Sequence, residues 1–182
     1  MSSEKAFDSV WINGLLFILL QLNFPKDFIQ LVWSMTRGRS FVVWDGNEAS
    51  STVFNIAEGL MQGAVCSPAL FNIFFIHEVP RLFRLNSGNN THSIAFADDY
   101  IIMVAGEQPG LVQGRLELLV NRTIEYYTQW NLRPNPKKFE TILFRKPLNQ
   151  ITPTIRPDIK NFKIEVTHED GFIAVEHKEV VK

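Results

Sequence analysis

The chain has 182 residues, of which 46% are hydrophobic, and its formal net charge at pH 7 is −1. This apolar content, which includes 15 Phe, excludes an intrinsically disordered chain and predicts one globular domain with a buried core. A charge so close to zero excludes the strong basic excess that a protein usually needs to bind nucleic acid unaided.

Two helices are predicted in the first 36 residues. Apolar residues recur at helical spacing across residues 8–22, and Asp8 stands where a capping side chain is expected. Pro25 suits the first position of a helix, which predicts a second helix over residues 25–36.

A hairpin and a third helix are predicted next. Residues 40–44 and 53–57 have the composition of strands, and Asp45-Gly46 between them is a typical hairpin turn. Ser67-Pro68 is typical of a helix start, with Ser67 as the cap, and predicts a helix over residues 67–75.

The second half of the chain continues the mixture of helices and strands. Residues 111–130 predict a long amphipathic helix, residues 141–144 a short strand, and residues 164–166 with 172–175 a final hairpin. This mixed order predicts an α+β fold, in which helices cover one face of a largely antiparallel sheet.

Asp98 and Asp99 lie side by side between two apolar runs that predict another hairpin. Neither carboxylate has a basic neighbour in sequence, so the two charges repel each other unless a cation lies beside them. A divalent metal ion explains the pair, since magnesium prefers carboxylate oxygens. The alternative is a solvated turn, because Asp is an ordinary turn residue.

The expected location of the protein follows from its single cysteine and its first residues. Cys66 alone allows neither an internal disulfide nor a multi-cysteine zinc site, which is typical of a reducing compartment. No signal peptide pattern opens the chain, and the apolar run over residues 15–20 is too short to span a bilayer. We therefore expect an intracellular protein, nuclear or cytoplasmic, that is not secreted and not in a membrane.

Four segments, in this order and spacing, resemble the palm of reverse transcriptases from jockey-like non-long-terminal-repeat retrotransposons. They are Glu-Lys-Ala-Phe-Asp-Ser-Val at residues 4–10, Gly-Leu-Met-Gln-Gly-Ala-Val-Cys-Ser-Pro at 59–68, Phe-Ala-Asp-Asp at 96–99, and the segment from Trp130 to Glu140. The ordered set is more specific than any one motif. It predicts a reverse transcriptase palm over residues 1–146, followed by a poorly matching extension over residues 147–182.

The resemblance implies a metal site and its substrates. Asp98 and Asp99 are implied as catalytic metal ligands, Asp98 the more direct, for magnesium or for manganese in its place. The implied reaction extends a DNA primer with deoxynucleotides on an RNA template. Nucleic-acid binding by this chain alone is expected to be weak.

The resemblance assigns three further roles, each with a simpler alternative. Phe7 is implied to pack under the nucleotide sugar and exclude a ribose 2′-hydroxyl, and its alternative is core packing. Gln62 and Gly63 are implied to lie against the incoming nucleotide, and their alternative is an ordinary loop. Lys138 is implied as a catalytic lysine acting on the leaving pyrophosphate, and its alternative is a solvated surface lysine.

The chain departs from the family pattern at its first motif. The family has a catalytic Asp two residues before Glu4, where this chain has Ser2, and a hydroxyl lacks the charge that two nearby dications need. By the same comparison we expect a truncated palm without fingers or thumb. Weak metal binding and no polymerisation by the isolated chain are therefore predicted.

Three functions compete at this point. The first is part of an RNA-directed DNA polymerase, and the second is a non-catalytic protein, either a retroelement remnant or a palm reused as a binding module. The third is an unrelated metal-dependent enzyme with an Asp-Asp turn, which the ordered motifs disfavour.

Overall fold

The computed structural model describes residues 3–77, 90–96, 99–135, 138–168 and 171–181. Within these residues, five α-helices and ten short strands follow one another in mixed order. The strands form five two-stranded sheets, four of them antiparallel and one parallel. The α+β class is confirmed, although the described strands pair in twos instead of forming one continuous sheet.

The first part of the chain is mainly helical. In chain order its elements are β1 (Ser3–Glu4), α1 (Ile12–Gln21), α2 (Lys26–Thr36), β2 (Arg39–Phe41), β3 (Phe54–Ile56) and α3 (Ser67–Ile76). Strands β2 and β3 form the predicted hairpin, and Asp45 begins its turn by accepting hydrogen bonds from the backbone N–H groups of Asn47 and Glu48. These donors hold the pKa of Asp45 below its usual value.

The second part carries most of the strands. Its elements are β4 (Thr91–Phe96), β5 (Asp99–Val104), α4 (Pro109–Gln129), β6 (Arg133–Pro134), β7 (Glu140–Arg145), the 3-10 turns Leu148–Gln150 and Pro153–Ile155, α5 (Arg156–Lys160), β8 (Glu165–His168), β9 (Gly171–Ala174) and β10 (Glu176–Val181). The predicted hairpins appear as β4–β5 and β8–β9. Strand β1 pairs with β6, and β7 pairs in parallel with β10.

Helix α1 begins at Ile12, so the predicted start and cap at Asp8 are wrong. Residues 5–9 form a turn, in which the backbone N–H of Ser9 donates to the carbonyl of Lys5. The carboxylate of Glu58, 46 residues away, accepts the Ile12 backbone N–H at 2.8 Å and so caps the helix.

Helix α3 begins where Ser67-Pro68 predicted it, but Ser67 is not its cap. Cys66 is the N-cap residue and makes no side-chain hydrogen bond at the helix end. The Ser67 hydroxyl donates instead to the carbonyl of Met61 at 2.7 Å, which fixes the preceding loop to the helix.

Two hydrophobic cores share helix α4. The first core packs α1, α3 and β5 around large fully buried side chains, among them Phe71, Phe75, Tyr100 and Tyr127. The second core is smaller and contains Val120, Phe139, Phe162, Ile164 and Val166. Across the residues described, no helix combines the length and apolar character needed to cross a membrane.

Candidate functional site

The hairpin predicted around the Asp pair is present in its two strands. Phe96, the last residue of β4, lies opposite Asp99, the first residue of β5. The side chain of Asp99 is exposed, and the next residue, Tyr100, is buried. Asp98 lies outside the described residues, as does Ser2, so the metal-binding role of Asp98 remains a prediction.

A continuous row of aromatic rings connects this hairpin to Phe7. The ring of Tyr100 meets Phe75 edge-on at 6.0 Å, Phe75 stacks on Phe71 at 5.6 Å, and Phe71 stacks on Phe7 at 4.7 Å between centroids. Burial, partly offset by a hydrogen bond with Ser93, raises the pKa of the Tyr100 phenol, so this ring stays neutral. Aromatic packing therefore fixes the distance between β5 and the first motif.

Phe7 is half-buried, which is compatible both with core packing and with a position under the nucleotide sugar, the two roles predicted for it. One face of its ring stacks on the fully buried Phe71, with 27° between the planes, so the ring is anchored to the core. The rest of the side chain remains partly accessible. An aromatic ring held in this way can present a fixed wall to a ligand.

Backbone hydrogen bonds join the first motif to the loop before α3. The N–H of Leu60 donates to the carbonyl of Phe7 at 2.8 Å, and the N–H of Gly59 donates to that of Val10 at 2.9 Å. Gly59 has a φ of +85°, and a Cβ at this position would lie 2.6 Å from the carbonyl oxygen of Asp8. Only glycine allows this close approach.

The approach also brings Gln62 to the first motif. Its side-chain amide donates to the carboxylate of Asp8 at 3.0 Å and 3.3 Å, and both side chains are exposed. Gly63 follows with a φ of +84° and open space around its Cα. Phe7, Gln62 and Gly63, which the sequence predicted in two separate segments, thus lie in one connected region.

Lys138 lies next to a residue of the second core. Its side chain is exposed, its backbone N–H donates to the carbonyl of Asn135, and the next residue, Phe139, lies in the second core. Within the part of the chain that the structure describes, Lys138 shares no hydrogen bond or ion pair with Phe7 or Gln62. The catalytic role of Lys138 stays a prediction.

The described residues form no complete metal site. Among them, no group of three or more His, Cys, Asp or Glu side chains could hold a metal ion. The exposed carboxylate of Asp99 suits magnesium, which prefers oxygen ligands. The assignment of Asp98 and Asp99 as metal ligands therefore stays a prediction.

The sequence does not predict the roles of three residues that hold this site together, because their hydrogen-bond partners lie far away along the chain. Asp8 was interpreted as a helix cap, and Glu58 and Arg39 were not singled out. The guanidinium of Arg39 donates to the carbonyls of Glu58 and Gly59 at 3.0 Å and 2.6 Å. The one local signal was Gly59 itself, since glycine is the residue that allows a positive φ and a close approach of another chain segment.

Comparison with known proteins agrees with the motifs. A family model described as reverse transcriptase (RNA-dependent DNA polymerase) matches residues 2–178. The RNA-directed DNA polymerase from mobile element jockey of Drosophila funebris is 28% identical over 173 residues, which cover 94% of this chain and 18% of that protein. The probable RNA-directed DNA polymerase from transposon X-element of Drosophila melanogaster is 29% identical over 141 residues, 78% of this chain and 15% of that protein.

A third relative is the retrovirus-related Pol polyprotein from type-2 retrotransposable element R2DM of Drosophila melanogaster. It is 30% identical over 143 residues, which cover 76% of this chain and 13% of that protein. The chain therefore spans less than one fifth of the length of these relatives. Because the family match covers nearly all of it, the chain belongs to the reverse transcriptase family.

Proposed function

We propose that this chain forms the palm of an RNA-directed DNA polymerase, which extends a DNA primer with deoxynucleotides on an RNA template. The observation that carries the proposal is the junction between the first motif and the loop before α3, closed by the hydrogen bonds of Gly59 and Leu60. This junction places Phe7 and Gln62 together, and the aromatic row extends from Phe7 to the strand that Asp99 begins. Family membership supplies the reaction class.

In this proposal Phe7 selects the sugar. A ring stacked on the buried Phe71 cannot move aside cheaply, because displacing it would break the stack and open a gap in the first core. A ribose 2′-hydroxyl directed at such a ring meets a steric barrier, whereas a deoxyribose does not. Gln62 and Gly63 lie against the nucleotide beside it, where the open space around Gly63 leaves room for close backbone approach.

The carboxylates of Asp98 and Asp99 would hold divalent metal ions. When bound, such ions stabilise the charge that develops on the transferred phosphoryl group and orient the attacking hydroxyl. The protein's part would be to supply oxygen ligands, and the exposed carboxylate of Asp99 at the start of β5 supports this role. Lys138 is proposed to neutralise the leaving pyrophosphate.

Ser2 favours a second candidate, a non-catalytic palm that binds without polymerising. Two dications held about 4 Å apart need bridging negative charge, which a serine hydroxyl does not supply. Weak binding of magnesium or manganese is the first consequence. Ser2→Asp should strengthen that binding, and Asp98→Ala should weaken it, as measured by metal titration.

Primer extension tests the proposed function in a chimera. The chain replaces its matching segment in the jockey polymerase of Drosophila funebris, and extension is measured on an RNA template with deoxynucleotides and manganese. We expect no extension with Ser2, extension with Ser2→Asp, and loss of that extension when Asp98→Ala is added. Extension that persists without Asp98 would contradict the proposed metal site. Extension with Ser2 would remove the second candidate and make Glu4 the next residue to test, because residues two apart on a strand share a face and Glu4 could then replace the missing carboxylate.

A further inference from the structure

The hydrogen bonds between Gln62 and Asp8 determine which end of the Gln62 amide faces Asp8. Gln62 Nε2 lies 3.0 Å from Asp8 Oδ1 and 3.3 Å from Oδ2, so the amide group addresses both carboxylate oxygens. A carboxylate only accepts hydrogen bonds, whereas a glutamine amide both donates and accepts. The NH2 group must therefore face Asp8, because the reverse orientation would place a carbonyl oxygen against a carboxylate.

This orientation determines what Gln62 offers to a ligand. Because the NH2 group of Gln62 faces Asp8, its carbonyl oxygen Oε1 faces away from Asp8 and can accept a hydrogen bond from a ligand. The phosphate groups of a nucleotide are ionised at neutral pH and have no hydrogen-bond donor to offer to this oxygen. The donors of a nucleotide are the hydroxyl groups of its sugar and the amino groups of its base.

Asp8 is itself held by backbone contacts, which fix its main chain and so limit where its carboxylate can lie. The carbonyls of Phe7, just before it, and of Val10, two residues after it, accept the N–H groups of Leu60 and Gly59. The Cα of Gly59 packs directly on the backbone of Asp8. The loop that carries Gln62 and the turn that carries Asp8 therefore cannot shift independently.

We propose that Asp8 is a positioning residue, which orients the Gln62 amide so that the palm presents a hydrogen-bond acceptor, and not a donor, to the nucleotide. The role of the acceptor rests on the proposed function, whereas the orientation rests on the structure alone. In the absence of Asp8, both orientations of the amide become available, and a nucleotide donor meets the correct one only part of the time.

Nuclear magnetic resonance of the whole 15N-labelled chain tests the orientation without any activity. The side-chain amide signals of Gln62 are assigned by their loss in Gln62→Ala. We expect one of the two protons to be shifted by the carboxylate and slowed in solvent exchange, and both to take the values of an exposed glutamine in Asp8→Ala. The matched control is Asp45→Asn, since Asp45 is another exposed turn carboxylate, which accepts hydrogen bonds from the backbone N–H groups of Asn47 and Glu48, and it should leave the Gln62 signals unchanged.

A reversed pair separates positioning from general loss of structure. In Asp8→Asn combined with Gln62→Glu, the amide and the carboxylate exchange places, and the shifted amide signal should reappear on residue 8. Gln62 signals that are identical in the wild-type chain and in Asp8→Ala would overturn the proposal.

Nucleotide titration in the presence of magnesium gives a separate outcome for the proposed function. Asp8→Ala should weaken the affinity for a deoxynucleoside triphosphate about three- to tenfold relative to Asp45→Asn, the range expected for one lost hydrogen-bond partner. Equal affinities would overturn the positioning role. If neither the wild-type chain nor Ser2→Asp binds the nucleotide, the proposed function fails, while the amide signals still decide whether Asp8 orients Gln62.

Discussion

The two cores of this molecule are held together in different ways. The first core joins segments far apart in sequence through buried aromatic rings and directed polar contacts, such as the bond between Ile12 and Glu58 across 46 residues. The second core is smaller, and its parallel pair β7–β10 carries the ion pairs of Arg145 with Glu179 and of Lys178 with Glu140 nearer to solvent. Phe7, which is proposed to face the nucleotide sugar, packs against the first core, and Gln62 is joined to the same motif through Asp8.

Removing a ring from each core should give the largest effect and the clearest contrast. Phe75 is fully buried between Phe71, Tyr100 and Tyr127, so Phe75→Ala should lower the free energy of unfolding by about 3–5 kcal/mol. Phe162→Ala in the second core should cost less, because fewer buried side chains surround it. Denaturant unfolding measures both, and an equal or greater loss at Phe162 would contradict the comparison.

Two glycines with nearly equal positive φ angles, Gly59 and Gly63, separate the effect of a close contact from the effect of backbone strain. Gly59→Ala should cost about 3 kcal/mol, because it combines a left-handed φ with a Cβ placed 2.6 Å from the Asp8 oxygen. Gly63→Ala carries the strain alone, with nothing within 4 Å of the new Cβ, and should cost about 1 kcal/mol. Thermal unfolding of the two variants decides the point, since similar losses would mean that the junction with the first motif is loose.

The helix cap that comes from Glu58 should have an intermediate effect. Glu58→Ala removes the acceptor of the Ile12 N–H and should cost about 1 kcal/mol, as for loss of an ordinary capping side chain. Glu58→Gln keeps an acceptor oxygen of nearly the same reach and should cost less. Denaturant unfolding of both variants is the measurement, and a larger loss for glutamine than for alanine would exclude the capping role.

The ion pairs of β10 should contribute least. Arg145 lies 2.6 Å from Glu179 with partly exposed side chains, so Arg145→Ala should cost about 1 kcal/mol or less. Lys178 and Glu140 are both half-exposed at 3.0 Å, and Lys178→Ala should change stability very little. Both losses should shrink when salt is added, and a loss that is independent of salt would point to packing instead of charge.

Local structure could be predicted from the sequence where it depends on neighbouring residues. The start of α3 at Ser67, the β4–β5 hairpin and the β8–β9 hairpin were predicted because turn residues and apolar periodicity are local signals. The parallel pairing of β7 with β10 was not, since nothing local specifies which distant strand becomes the partner. The short helix α5 and the 3-10 turns near it were not predicted either, and the segment around them lacks a clear apolar period.

The candidate site likewise contains residues that the sequence predicts and contacts that it does not. Phe7, Gln62 and Gly63 were predicted from motif resemblance, and the structure brings them together. The polar contacts that fix them, from Asp8, Glu58 and Arg39, span 19 to 54 residues and leave no periodic trace in the sequence. For that reason a cap was predicted at Asp8, where the structure has a hydrogen-bond acceptor for Gln62.

The selection of the sugar by Phe7 tests the account most directly. In the Ser2→Asp chimera, incorporation of ribonucleotides relative to deoxynucleotides is measured for Phe7→Val and for Phe28→Val. Phe28 is the matched control, because it is also half-buried, stacks on another Phe at 5.3 Å and packs against the first core. We expect relative ribonucleotide incorporation to rise about tenfold or more in Phe7→Val, since a smaller side chain removes the barrier to the 2′-hydroxyl, and to stay unchanged in Phe28→Val. Unchanged selectivity in Phe7→Val, or the same change in both variants, would contradict the account.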